Sequence, residues 1–88
     1  YVFIATLEFD SNSSGNRAVF FNKNGSLFTR GQRIAPSGSS VTNLTSTCIM
    51  DLAVADYVEV FGYQNSGGSL NVVNAQTATR FAAYYLGA

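Results

Sequence analysis

Between residues 48 and 63 the chain reads Cys-Ile-Met-Asp-Leu-Ala-Val-Ala-Asp-Tyr-Val-Glu-Val-Phe-Gly-Tyr, an apolar run, a short break, and then strict alternation. The run predicts a strand ending at Leu52, a brief connection, and a long strand opening at Asp56. In that second strand Val58, Val60 and Gly62 fall on one face, and Tyr57, Glu59, Phe61 and Tyr63 on the other, because side chains alternate along extended backbone. A ribbon of two strands this apolar is not stable alone in water, so further strands must cover it.

The rest of the chain supplies them. Residues 1–9 predict a strand with Tyr1, Phe3, Ala5, Leu7 and Phe9 on one face and Val2, Ile4, Thr6 and Glu8 on the other. An antiparallel strand with one wet face alternates apolar and polar. This one is apolar on both faces for most of its length, so its second face also needs a cover. Residues 10–16 are a loop by composition, and 17–23 a strand carrying Ala18, Val19, Phe20 and Phe21. Asn24-Gly25 is a strong hairpin signal, since both turn residues tolerate positive φ, and 26–30 is the expected returning strand. Residues 31–43 hold the only proline and read as a long surface loop. A strand over 44–52 places Cys48, Met50 and Leu52 inward. After the strand at 57–64, Asn65-Ser66-Gly67-Gly68 turns the chain, 69–73 is short and extended, and 74–77 is loop. A last strand over 79–86 puts Phe81, Ala83 and Tyr85 on one face and Arg80, Ala82, Tyr84 and Leu86 on the other. Residues 75–86 have the propensity for a helix, but their Phe, Tyr and Thr content favours a strand. Six or seven short strands joined by turn chemistry predict an all-β sandwich or barrel.

Eighty-eight residues make one domain with a modest core. Cys48 is the only cysteine, so no disulfide forms within one chain, and its apolar strand predicts a buried, inert thiol. Five basic and five acidic residues balance. Such a chain has no electrostatic pull toward nucleic acid or acidic membranes, and no run approaches the roughly 18 apolar residues of a membrane span. Polarity is carried by Asn, Ser, Thr, Gln and Gly, a style common among extracellular and virion β-proteins. The chain opens at Tyr1 in strand-like sequence, which leads us to expect residues upstream.

Little catalytic apparatus is present. There is no histidine, which removes imidazole-based triads and metal sites. The carboxylates Glu8, Asp10, Asp51, Asp56 and Glu59 fall where strand edges and turns place solvated acids rather than a sugar-cleaving pair. Asp10 with its Ser/Asn loop offers hard oxygen ligands for calcium but without a recognised spacing. Asn12-Ser13-Ser14, Asn24-Gly25-Ser26 and Asn43-Leu44-Thr45 match the glycan acceptor pattern, as chance allows in an Asn/Ser/Thr-rich chain. Gly67-Gly68 is a turn and no phosphate cradle, because no helix follows it. Arg17, Arg30, Arg33 and Arg80 are scattered along the sequence rather than gathered in a nucleic-acid stripe. No enzyme activity and no cofactor is expected.

The order of landmarks resembles the jelly-roll family that unites tumour necrosis factor with the globular heads of complement-type collagenous proteins. Tyr1-x-Phe3 looks like its central aromatic strand, and residues 17–21 followed by Lys23-Asn24-Gly25 like its next hairpin. Leu52-x-x-x-Asp56-x-Val58 looks like its strand, turn and long strand, with Ala55-Asp56 standing where Gly-Asp or Gly-Glu is usual. Phe81-Ala82-Ala83-Tyr84-Tyr85-Leu86 is similar to its closing Phe-Ser-Gly-x-x-Leu strand, with Ala82-Ala83 in place of Ser-Gly. The likeness spans nearly the whole chain but only the last two-thirds or so of the family domain, whose first strands would precede Tyr1.

The resemblance implies an antiparallel jelly-roll β-sandwich assembling as a homotrimer through one sheet. Independently, Val2, Ile4, Thr6, Ala82, Tyr84 and Leu86 are surplus apolar surface once the inner faces are filled. At about 25 cal/mol per Å² their exposure forfeits several kcal/mol. Either a trimer interface or strands upstream would cover them. The loops at 10–16, 31–43 and 65–69 are the candidate recognition surfaces, with Asn12, Asn16, Arg17, Gln32, Arg33 and Asn65 as hydrogen-bonding groups; they are equally readable as soluble connections. In its Asn/Ser/Thr-rich, low-charge style the chain resembles the modules that bacterial viruses carry on fibres and virion surfaces more than it resembles an animal cytokine. The expected role is a non-enzymatic adhesion or capping module at a fibre tip or capsid surface. Its expected partners are other virion structural proteins and a host-surface saccharide or protein receptor. The alternative is a secreted, pattern-recognising head on a collagen-like stalk.

Overall fold

In the computed structural model, which describes every residue except Ser37, Ser39, Gln76 and Ala88, the predicted strands form two antiparallel three-stranded sheets. The strands are β1 (Val2–Phe9), β2 (Arg17–Lys23), β3 (Ser26–Ile34), β4 (Thr42–Ile49), β5 (Val58–Gln64) and β6 (Arg80–Tyr84). One sheet has the order β4-β1-β6 and the other β3-β2-β5. Only β2 to β3 stays within a sheet; every other connection between successive strands crosses to the opposite one. Among the described residues there is no helix.

The hairpin forms at the predicted place for the predicted reason. Asn24 and Gly25 both take positive φ, 52° and 82°, as a two-residue turn matching strand twist demands. The core lies between the sheets, where Phe3, Ala5 and Phe9 of β1 meet Val19 and Phe21 of β2, Leu44 of β4, and Met50 just beyond it. These are the inward positions of the parity read from sequence. Leu7, Cys48, Leu52, Val58 and Val60 pack around them, partly buried. Burial pushes the Cys48 thiol above its ordinary range, which keeps the nucleophilic thiolate scarce.

Several boundaries differ from expectation, among them β6, which spans Arg80–Tyr84 rather than 79–86. β3 runs on to Ile34 where a loop over 31–43 is predicted; Ser37 and Ser39 of that loop lie outside the described residues. The strand continues through a bulge, the pairing with β2 stepping from Ala18↔Arg33 to Phe20↔Arg30, so one strand advances three residues while its partner advances two. Gly31 sits in that bulge, hard against β4. A methyl group there would lie 2.7 Å from the Val19 carbonyl oxygen and press on Ser46 Oγ. β4 begins at Thr42 and ends at Ile49 rather than spanning 44–52. The expected extended piece at 69–73 reduces to a single bridge, Phe9↔Val72, flanked by hydrogen bonds from Asp10 N to Asn71 O (2.9 Å) and from Val73 N to Glu8 O (2.7 Å).

Candidate functional site

β1 is the central strand of its sheet, and the pairing registers define what its outer face displays. Val2 lies between Ile49 and Tyr84, Ile4 between Thr47 and Ala82, and Thr6 between Thr45 and Arg80. The face therefore grades from apolar at one end to polar at the other. Tyr84 is 71% and Ile49 68% exposed. Of the six residues expected to form an interface, Val2, Ile4, Thr6, Ala82 and Tyr84 share this face. Leu86 lies past the end of β6, outside the register. Ile49 belongs to the patch and was not expected. Its parity opposite to Cys48 and Met50 is the signal that marks it.

The same sheet leaves part of the core uncovered. Phe81 pairs with Ala5 and faces inward, with its ring 5.8 Å from that of Phe3 and 6.4 Å from that of Phe21. It is nevertheless 46% exposed, and every residue of β6 is open to solvent. β6 and β5 are edge strands on the same side of the sandwich, and among the described residues no hydrogen bond joins them.

The expected recognition residues separate into three groups. Asn12, Asn16 and Asn65 gather where the loops at 10–16 and 65–69 meet. Asn16 N donates to Asn65 Oδ1, and Asn65 N to Asn16 O at 3.3 Å. Asn12 Oδ1 accepts from Ser14 N at 2.9 Å in a local turn. Arg17 does not belong on this surface. It is fully buried under the loop, where Nη2 donates to Asn12 O (2.8 Å) and Nη1 to Ser14 O (2.7 Å) and Asn16 O (3.3 Å). Carbonyl oxygens that could have faced a calcium ion are thus turned onto a guanidinium, a fixed positive charge in their midst. Gln32 and Arg33 are strand residues of β3 and not loop residues. Gln32 Oε1 accepts from Thr45 N of β4 at 2.8 Å, bridging the two sheets. Arg33 points to the outer face of the other sheet, its guanidinium carbon 5.2 Å from the centre of the Tyr63 ring.

The turn before β5 is the other organised polar cluster. Ala55 adopts φ 74°, a left-handed conformation that glycine takes without strain. Next to it Asp56 accepts from Asn24 Nδ2 (2.9 Å) and from Ala53 N (2.7 Å), with Lys23 Nζ at 3.7 Å. These bonds, led by that from Asn24, lower the Asp56 pKa below its ordinary 3.8. Asn24 Oδ1 in turn accepts from Tyr57 N at 2.9 Å. Both ends of the Asn24 amide are therefore engaged, and its match to the glycan acceptor pattern serves the turn instead.

Comparisons with known protein families, curated proteins and solved structures found no match to this chain.

Proposed function

We propose that this chain is a non-enzymatic jelly-roll module that self-associates as a homotrimer and serves adhesion or capping on the surface of a virion. The observation that carries the proposal is the outer face of β4-β1-β6, where Val2, Ile4, Ala82, Tyr84 and Ile49 form one apolar patch. Monomeric proteins seldom leave a contiguous apolar patch on a flat sheet, and such a patch marks an interaction site. A patch graded from apolar to polar along the strand suits packing about a threefold axis, with loops such as 10–16 and 65–69 turned outward. Threefold presentation multiplies weak contacts into useful avidity.

The strand order supports the jelly-roll part of the reading. A jelly roll builds eight strands into two sheets by chain crossings of the kind seen at every connection here but one. One further strand beside β6 and one beside β5 would bring each sheet to four and cover Phe81.

The test is the native mass as a function of dilution, by analytical ultracentrifugation, for the wild type and for Ile4→Lys. The expected result is a trimer at micromolar concentration that Ile4→Lys converts to a folded monomer. A wild-type monomer at that concentration would overturn the proposal.

A further inference from the structure

We propose that the outer face of the β3-β2-β5 sheet is a binding site for a carboxylate-bearing saccharide. The site is built by two rows across the three strands. Arg33, Ala18 and Tyr63 form one row, and Arg30, Phe20 and Phe61 the next. The bulge in β3 is what makes both arginines face outward despite their odd spacing, and it is why their gathering is invisible in the sequence. Ala18, between Arg33 and Tyr63, is fully buried, so the row presents only those two larger side chains to a ligand. The Arg33 guanidinium lies over the Tyr63 ring, and the Phe20 ring stands 6.2 Å from Tyr63 at 43°. Phe61 is 45% and Tyr63 36% exposed.

Charge selects the occupant. Among the described residues neither Arg30 nor Arg33 is in an ion pair or donates a side-chain hydrogen bond, so both guanidinium forks are free. The contact with Tyr63 places the Arg33 guanidinium in advance, so less ordering remains when a planar carboxylate is bound through two parallel hydrogen bonds. Glu59, paired with Asn22 one row beyond Phe20 and Phe61, makes the far end of the face negative. A ligand carrying one acid group is therefore oriented with that group at the arginines. The rings between suit the apolar C–H face of a pyranose. Single-stranded nucleic acid also stacks on aromatic rings, but it is held by many phosphate contacts on a basic surface. Two arginines on a chain of zero net charge match one carboxylate better than a polyanion. This site gives the adhesion reading a ligand class and rests on that reading for its purpose, although binding needs only one subunit.

The experiment is an amide chemical-shift titration with 3′-sialyllactose, with neutral lactose as control, repeated on Arg33→Gln, Tyr63→Leu and Ile4→Lys. Expected are shifts centred on Ala18, Arg33, Phe61 and Tyr63 with the acidic sugar. With lactose, or in Arg33→Gln, binding should be at least about tenfold weaker, the loss of one charge-assisted bidentate contact. Tyr63→Leu should weaken it as well. Shifts that persist in a monomeric Ile4→Lys keep this site, whatever becomes of the trimer. Equal response to lactose, shifts confined to the loops at 10–16 and 65–69, or response only to an oligothymidylate would overturn the proposal. No response to any probe at about 10 mM sugar, weaker than any millimolar affinity, would overturn it too.

Discussion

The two long sides of the sandwich are built differently. Along β3 and β4 the sheets are locked together. Gly31 leaves room for the Ser46 side chain of β4 to pack against β3, Gln32 carries a hydrogen bond from one sheet to the other, and Leu44 and Thr42 are buried at the seam. Along β5 and β6 no such closure exists among the described residues, and an inward-facing phenylalanine is nearly half wet. The polar turn at 53–57 ties the start of β5 to the β2–β3 hairpin of its own sheet, through Asn24 and Asp56. The contrast teaches that a side sealed by packing is finished within this chain. The other side leaves an inward-facing ring in contact with water.

Mutations on the two sides should therefore differ in cost. The largest effect is expected for Leu44→Ala at the sealed side, a loss of about 2–5 kcal/mol in denaturant unfolding, as for other fully buried leucines. Gly31→Ala follows at about 1–3 kcal/mol, since its methyl group meets backbone that cannot move aside cheaply. On the open side Phe81→Ala should cost only about 1–2 kcal/mol in the isolated chain, near half the usual value for a buried phenylalanine. The same substitution in an assembly that covers β6 should reach the full figure. Equal losses at Phe81 and Leu44 in this chain would erase the contrast. Smallest is a gain. Ala55→Gly relieves a left-handed alanine and should stabilise by about 0.5–1 kcal/mol, read as a rise of a few degrees in Tm.

The polar turn adds a pH signature that the packed side lacks. Because the Asp56 pKa is lower in the folded chain than its ordinary 3.8, the unfolded state binds the proton more readily. Its contribution is thus fully present above that ordinary value and is lost as pH falls through the lowered folded one. Asp56→Asn should flatten the acid limb of the stability curve below about pH 4, whereas Leu44→Ala should shift the curve without changing its shape. An unchanged acid limb in Asp56→Asn would show that the bonds to Asp56 do not stabilise the folded chain.

Much of this was legible in advance, where period-two parity governs. The bounds of β2, the hairpin at Asn24-Gly25, the inward set of β1 and the gathering of Val2, Ile4, Thr6, Ala82 and Tyr84 all follow from alternation. Parity fails at a bulge, which is why Gly31 to Ile34 reads as loop and why Gln32 and Arg33 look like loop residues. It also cannot tell which polar residue will be buried. Arginine is almost never fully interior, and only the carbonyls of residues 12, 14 and 16 folding back over Arg17 make it so. Ile49 could have been found by extending the outward parity to β4.

The central position of β1 also orders events in time. Its partners are β4 and β6, so Val2 must await Tyr84, 82 residues later (84 − 2), before its ladder is complete. At about 5–20 residues per second of synthesis, the most apolar strand of the chain stays unpaired on one edge for roughly 4–16 s. We expect the β2–β3 hairpin to form first and β1 last, which pulsed hydrogen exchange during refolding would reveal as late protection of β1 amides. Earlier protection of β1 than of the hairpin would refute that order. The strand that anchors one sheet of the finished molecule is, during its making, the one most in need of a chaperone.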